Sequence, residues 1–246
     1  MVPVEVHFLT LFPEIFSPIL NSSLIGKAVE AGKVSFHVHQ IREHSTDKHR
    51  TVDDTPYGGG EGMILRIDVL HRAWQSVAEP LSVKNGKKPR TILLSPQGAL
   101  WDQNRAWNLG KELQAGQSLI LVCGHYEGVD QRFIELCVDE EVSVGDYVLT
   151  GGELAALVLV DSLVRTLPGV VGNERSLTEE SLEGGLLKYP QYTRPRSFEG
   201  LEVPGILLSG DHEKIAQWRL DKKMEVTKQK RPDLVSRSPF LKGRTD

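Results

Sequence analysis

Three short stretches of the chain combine glycines with polar residues in a way that suits the binding of a small molecule. They are "LLSPQG" (residues 93–98), "LVCGHYEG" (121–128) and "VGDYVLTGGE" (144–153). A glycine lets the backbone turn sharply or approach a ligand closely. Each stretch taken alone is more typical of an ordinary turn between a strand and a helix. The three together predict a pocket that holds its ligand through backbone N–H and C=O groups.

Motifs that the chain lacks narrow the type of ligand. No G-x-x-x-x-G-K-[ST] sequence occurs, which disfavours a nucleotide hydrolase of the P-loop type. No G-x-G-x-x-G follows a predicted strand, which disfavours an ordinary dinucleotide site. A nucleoside without phosphates fits these loops better, and S-adenosylmethionine is such a cofactor.

Strands and helices alternate around these stretches. Hydrophobic patterns predict strands at residues 4–9, 33–41, 91–98, 118–124 and 139–145, and helices at 22–32, 67–79, 101–113, 129–137 and 153–165. A polar loop at 42–63 and a surface linker at 80–89 interrupt the pattern. Several strands are apolar throughout, which indicates an α/β fold with a mainly parallel sheet covered on both faces. Ligands of such sheets bind at the carboxyl ends of the strands, where the three glycine stretches lie.

The character of the sequence changes after Gly169. A polar, glycine-containing segment predicts a flexible linker at residues 172–185. The remainder has a helical pattern, strongest at residues 211–230. We therefore expect a cofactor-binding domain at 1–171 and a small helical domain at 186–246.

Composition indicates an ordinary globular protein. The 246 residues are 39% hydrophobic and 25% charged. No apolar run reaches the ~20 residues of a membrane span, and the N-terminus does not resemble a signal peptide, so no membrane contact is expected. Cys123 and Cys137 form neither a metal-binding nor a disulfide pattern. We expect buried free thiols and a cytoplasmic location.

Charge is distributed unevenly along the chain. The net charge of −4 divides into −8 for residues 1–210 and +4 for residues 211–246. A basic tail on an acidic body predicts contact with a polyanion. Charge alone, however, favours a solvated helical surface.

Four histidines lie close together in the sequence at positions 37, 39, 44 and 49. A zinc site is conceivable there, but no cysteine is near and the spacing is not a standard ligand set. We therefore predict no metal site from these residues.

Longer motifs resemble those of a known family. "HRTVDDTPYGGGEGM" (49–63), the three glycine stretches, "PGVVGNERSLTEES" (168–181) and "YPQYTRP" (189–195) are similar, in this order, to the bacterial tRNA (guanine-N(1)-)-methyltransferases. The likeness runs from Leu11 to about Leu220. The family belongs to the SPOUT class, so the resemblance implies a deep C-terminal trefoil knot in the α/β domain. No composition argument indicates a knot, because knots are nearly absent from folds.

The resemblance implies methyl transfer from S-adenosylmethionine to ring nitrogen 1 of guanine 37 in tRNA, next to the anticodon. It implies that the second and third glycine loops form the knot and border the cofactor. The residues expected there are Ser95, Pro96, Gly98, Gly124, Tyr126, Glu127, Gly128, Val144, Gly145, Asp146, Tyr147, Val148, Leu149, Gly151 and Gly152. On the substrate side it implies Asp53, Tyr57, Gly58 and Gly60, although a flexible turn would also explain this loop.

The chemistry needs a general base for the ring proton and a cation or donor for the charge that develops on the neighbouring oxygen. By resemblance Arg165 is the cation, although an arginine that ends an apolar helix is also a favourable surface charge. The family usually has an aspartate as base where this chain has Glu180, and Glu179 is the alternative. His125 and Gln191 also depart from residues common among relatives.

By resemblance the enzyme is a homodimer whose active site is shared between subunits, and it uses magnesium, for which no ligand set is evident. Two other functions stay open at this point. One is ribose 2′-O-methylation, which would need no arginine–carboxylate pair that reads the base. The other is a non-catalytic RNA-binding module, which the change from aspartate to Glu180 favours and the retained Arg165 disfavours.

Overall fold

The computed structural model describes residues 3–172, 182 and 185–237 of the chain, with the side chains of residues 236 and 237 left out. The chain divides into two compact units, Met1–Gly172 and Asn173–Asp246. Most of the predicted linker at 172–185 lies outside the described residues, so its extent stays a prediction. Among the described residues, no helix is long and apolar enough to cross a membrane.

One parallel sheet organises the described part of the first unit. Its strands are β1 (Val4–Thr10), β2 (Val34–Gln40), β5 (Arg90–Leu100), β6 (Leu119–Cys123) and β7 (Glu140–Ser143), and a short hairpin is formed by β3 (Asp53–Asp54) and β4 (Ile64–Leu65). The order across the sheet is β2-β1-β6-β5-β7, and each neighbouring pair is parallel. The α/β class and the parallel sheet predicted from the apolar strands are therefore confirmed.

Helices cover both faces of this sheet. In chain order they are α1 (Ser17–Leu20), α2 (Ser23–Glu30), α3 (Ile67–Asn85), α4 (Gln103–Gln114), α5 (Gln131–Cys137) and α6 (Glu153–Val164). Successive strand residues point to opposite faces, so Phe8 packs into the cluster that includes α2, α4 and α6. Leu9 packs into the other cluster, with α3 and α5. Two apolar layers thus hold the strands, and their ends, in fixed positions.

The surface linker predicted at residues 80–89 was wrong in its first half. Helix α3 continues through Pro80 and ends at Asn85, where Gly86 takes the left-handed conformation with φ of 64°. A proline inside a helix costs about 3 kcal/mol. Burial of Val77, Ala78 and Leu81 against the sheet outweighs that cost.

The described part of the second unit is less helical than the sequence predicted. Residues 186–196 contain no regular element, and a small hairpin follows, formed by β8 (Ser197–Phe198) and β9 (Leu201–Glu202). A 3₁₀ helix (Gly205–Leu208) comes next, and two α-helices follow, α7 (His212–Lys230) and α8 (Pro232–Arg237). Prolines at 190, 195 and 204 explain the difference, because proline removes a backbone donor and restricts the residue before it.

Candidate functional site

A cavity of about 390 Å³ opens where β6 and β7 end and where β5 is irregular, between Leu94 and Ala99. Since these strands run in parallel, their carboxyl ends meet at one edge of the sheet. The register of β5 against β7 shifts there, because Leu94 and Ala99 both pair with Val142. Residues 95–98 therefore bulge out of the ladder.

The cavity brings the three glycine stretches together. Thirteen of the residues expected around the cofactor line it: Ser95, Pro96, Gly124, Tyr126, Glu127, Gly128, Val144, Gly145, Tyr147, Val148, Leu149, Gly151 and Gly152. Their contact with a ligand stays a prediction, but their convergence on one space is a property of the fold.

Two residues expected at the cofactor do not line the cavity. Asp146 is exposed in the loop after β7. Gly98 lies where β5 passes β7, and a Cβ on it would overlap the backbone of Glu141 and Val142. The glycine at position 98 thus meets a packing requirement of the crossing strands.

Several lining residues were absent from the sequence-based set. His125 and Thr150 lie inside two of the glycine stretches, so their position among the predicted residues could have identified them. Gln131 and Ile134 come from α5 and reach the cavity only through the packing of that helix on the sheet. No sequence pattern marks them.

The turn after β6 is strained where it borders the cavity. Tyr126 has a φ of 60°, which is uncommon for a residue with a side chain and costs on the order of 1–3 kcal/mol. The turn is closed by a hydrogen bond of 3.1 Å from Gly128 N–H to His125 C=O. Backbone strain that the surroundings maintain in this way is typical of binding sites.

A buried carboxylate lies directly behind the glycine loops. Glu153 begins α6 and is 2% exposed. Its Oε1 accepts a hydrogen bond of 2.6 Å from the hydroxyl of Thr10, at the end of β1. Its Oε2 lies 2.8 Å from Nε2 of His125. These partners compensate for the removal of a charge from water, which would otherwise be costly.

Both cysteines are buried free thiols, as predicted. Burial, with the nearby carboxylate of Glu153, raises the pKa of the Cys123 thiol well above its usual range. Burial raises the pKa of Cys137 to about 11. Because the thiolate is the nucleophilic form, neither side chain is suited to covalent catalysis.

The predicted substrate loop is the tip of the β3–β4 hairpin. Asp53 pairs with Leu65 at its base, and Tyr57 at its tip is fully exposed. Gly58 and Gly60 have φ of 89° and 126°, values that favour glycine. The base of the hairpin is joined to a cavity loop, because Leu65 N–H donates to Gly128 C=O at 3.0 Å.

Arg165, one of the two expected catalytic residues, is not at the cavity in this chain. Arg165 caps the C-terminal end of α6, and the N-terminal end of that helix lines the cavity. Twelve helical residues span about 18 Å, more than an arginine side chain reaches. Glu180, with its alternative Glu179, lies outside the described residues.

Histidines of β1 and β2 form a stack on one face of the sheet. The ring of His7 stacks on His37 with centroids 4.6 Å apart, and its Nδ1 lies 3.0 Å from Nε2 of His39. Burial, with the neighbouring His37 and His39, lowers the pKa of His7 to about 4. Among the described residues, no three histidine, cysteine or acidic side chains are placed to hold a metal ion.

Comparison with known proteins finds relatives over nearly the whole chain. The model of the family described as tRNA (Guanine-1)-methyltransferase TrmD matches residues 4–237. A tRNA (guanine-N(1)-)-methyltransferase of Mesorhizobium japonicum is 52% identical over 95% of this chain and 97% of its own. Relatives of the same name are 49% identical in Rhizobium johnstonii, over 100% and 96%, and 45% identical in Clostridioides difficile, over 94% and 97%.

Proposed function

The chain belongs to the tRNA (guanine-1)-methyltransferase family, and from that premise we propose that it transfers the methyl group of S-adenosylmethionine to ring nitrogen 1 of guanine 37 in tRNA. The observation that carries the proposal is the cavity that the three glycine loops enclose at the strand ends. The names of the relatives favour neither ribose 2′-O-methylation nor a non-catalytic RNA-binding role. A cytoplasmic location follows from the tRNA substrate.

The residues around the cavity suit S-adenosylmethionine. A volume of about 390 Å³ falls in the usual range for small-molecule sites. Leu93, Val148 and Leu149 provide apolar surface for an adenine ring, and the carboxylates of Glu127 and Glu141 complement a cationic ligand. When bound, the cofactor supplies an electrophilic methyl group.

Because glycine has no side chain, backbone atoms can form part of the cavity wall. A Cβ on Gly152 would lie 2.7 Å from Cα of Cys123 and 2.9 Å from N of Gly124. Gly152 N–H also donates to Gly124 C=O at 2.9 Å. This close crossing of two loops supports the further proposal that the domain contains the deep trefoil knot of its class.

The catalytic step requires a base and a cation. Loss of the proton on ring nitrogen 1 makes that nitrogen nucleophilic, so we assign the base to Glu180. The negative charge that spreads onto the neighbouring carbonyl oxygen is stabilised by a guanidinium, so we assign this role to Arg165. A substrate fixed in line with the methyl group then reacts without further reorganisation.

We propose that a second copy of the chain completes the site, because Arg165 lies at the far end of α6 from the cavity of its own chain. Leu154 and Val158 support this assembly. They are four residues apart on one side of α6, and each is 53% exposed. Such side chains are suited to burial between subunits. A fully active monomer in light scattering would contradict the shared site.

The C-terminal unit is the proposed partner surface for tRNA phosphates. Helix α7 carries Lys222, Lys223, Lys228 and Lys230, and the last two are exposed. The guanidinium of Arg219 lies 4.9 Å from the ring centroid of Tyr189, a contact that leaves its charge available to an anion. Phosphate contacts of this kind position the RNA without reading its sequence.

A methyl-transfer assay with mass analysis of the product nucleoside tests the function. We expect 1-methylguanosine from tRNA and no product from a transcript that lacks guanine 37. Removal of a general base costs on the order of a hundred- to ten-thousandfold in rate. Glu180→Gln should therefore lose at least about a hundredfold in kcat with cofactor affinity nearly intact.

Glu179→Gln is the matched control and should have a mild effect. An inactive Glu179→Gln beside an active Glu180→Gln would move the base by one residue. If both variants were active, the base would lie elsewhere, and Asp53 would be the next residue to test. A 2′-O-methylated product would overturn the proposed activity itself.

A further inference from the structure

We infer that Glu153 and His125 are positioning residues for the methyl-donor cavity, and that Thr10 acts on the cavity through Glu153. The inference rests on the proposed function, because it assigns the cavity to the methyl donor. The observation behind it is one buried carboxylate that joins three separate elements: the end of β1, the turn after β6 and the start of α6.

A protein fold does not in general need a buried pair of charged or polar groups such as Glu153 and His125. Burying an ionised group is costly, and replacing buried ion pairs with apolar residues is often neutral or stabilising. Glu153 nevertheless lies inside the protein with 3% of its side chain exposed, beside His125 with 15%. Both groups belong to the cavity loops or lie directly next to them. The contact between the two side chains therefore affects where these loops lie.

The contact joins two neighbouring loops that both line the cavity. His125 belongs to the loop after β6, and Glu153 follows directly on the loop after β7. An N–H at Nε2 of His125 donates to the carboxylate at 2.8 Å. Position 151 must be glycine for this contact, since a Cβ there would overlap the His125 ring and lie 2.5 Å from Oε2 of Glu153.

The imidazole is also held from the side of β1. The ring of Phe12 packs against His125 with centroids 4.8 Å apart. Thr10 fixes both neighbours of the imidazole, because its hydroxyl donates to Glu153 and accepts a bond of 2.9 Å from the N–H of Phe12. The strained Tyr126 follows His125 directly, so a displaced imidazole would release the turn that borders the ligand.

Thr10 provides the sharpest test, because it is fully buried and does not line the cavity. Thr10→Val keeps the shape of the side chain and removes the hydroxyl. We expect it to weaken S-adenosylhomocysteine binding, measured by isothermal titration calorimetry, on the order of tenfold, the effect of about one buried hydrogen bond to a charged group. KM for the methyl donor should rise likewise, with KM for tRNA unchanged.

Thr91→Val is the matched control. Thr91 is equally buried in β5, and its hydroxyl accepts a hydrogen bond of 3.0 Å from Nε1 of Trp74, on the face of the sheet covered by α3. The Thr91→Val substitution should leave the affinity for S-adenosylhomocysteine unchanged. A merely structural role of Thr10 would reduce the amount of folded enzyme, and hence the apparent kcat, without changing the dissociation constant of the folded fraction.

His125 gives a second test if Thr10→Val does not fold. His125→Ala should lose affinity on the order of tenfold, while His125→Gln, whose amide can still donate to Glu153, should recover most of it. Wild-type affinity in folded Thr10→Val or in His125→Ala, or an equal loss in Thr91→Val, would overturn the inference.

Different results would overturn the proposed function and the inferred role of Glu153 and His125. A wild-type protein that binds S-adenosylhomocysteine without methylating tRNA would overturn the proposed function, and the inference would still be decided by the dissociation constants. A wild-type protein that does not bind S-adenosylhomocysteine would overturn both.

Discussion

Two regions of the first unit are rich in glycine for different physical reasons. At two positions of the strand-end loops, neighbouring backbone occupies the place of the missing side chain: a Cβ on Gly98 would overlap β7, and one on Gly152 would lie 2.7 Å from Cα of Cys123. At the tip of the β3–β4 hairpin, a Cβ on Gly58 or Gly59 would have no atom within 4 Å, and only φ of 89° and 78° favours glycine.

The difference separates a preformed wall from an adaptable loop. Close crossings fix the strand-end loops in one arrangement, so the cavity exists before a ligand arrives and binding loses little conformational entropy. The hairpin tip has open space around it and can change its backbone angles without displacing neighbours. This difference fits the proposal that the first region binds the small ligand and the second contacts the large RNA.

The largest effect that distinguishes the regions is on stability. Gly98→Ala forces β5 away from β7, and overpacking of this kind costs on the order of 3 kcal/mol of the unfolding free energy, or more. Gly59→Ala introduces only an unfavourable backbone conformation, which costs about 1–2 kcal/mol. Urea denaturation of both variants measures the difference. Equal losses would mean that the two glycine regions do not differ as described.

The next effect is the pH dependence of the stability of the sheet, to which both regions are attached. The pKa of His7 is lowered from 6.5 to about 4, chiefly by burial. The unfolded chain binds this proton below pH 6.5, whereas the folded chain resists it until about pH 4. Stability contributed by the neutral His7 is therefore complete above pH 6.5 and is lost as the pH falls towards 4, by about 3 kcal/mol.

Urea denaturation of the wild type and His7→Gln at pH 7 and pH 4 tests this pH dependence. Between pH 7 and pH 4 the wild type should lose about 3 kcal/mol more of its unfolding free energy than the variant, because the variant cannot take up the proton. Equal losses would mean that the imidazole of His7 is hydrated in the folded protein.

Local sequence patterns predicted most of the elements and the convergence of the glycine loops. The spacing of hydrophobic residues and the apolar character of a strand are local properties of the sequence, so they predict helices and strands. Parallel strands then place their carboxyl ends together by geometry. The pattern failed at Pro80, because burial of Val77, Ala78 and Leu81 is a tertiary effect that overrides a local helix breaker.

Contacts between distant segments could not be predicted from the sequence. Thr10 and Glu153 are 143 positions apart and meet only after the sheet has formed. The position of Arg165 relative to the cavity likewise depends on the length and direction of α6. The role of Gly98 could not be decided from the sequence, because a close strand crossing and a close ligand contact both call for glycine.

Binding of S-adenosylhomocysteine to Gly124→Val tests the central claim, that the cavity at the strand ends is the methyl-donor site. A Cβ at position 124 would have only Leu94 O at 3.6 Å and Leu93 Cδ1 at 3.9 Å nearby, and both residues line the cavity. The fold should therefore tolerate the valine, while the ligand loses its space. We predict a folded variant with no measurable affinity by calorimetry, beside Gly59→Ala with wild-type affinity. Wild-type affinity in folded Gly124→Val would contradict the account.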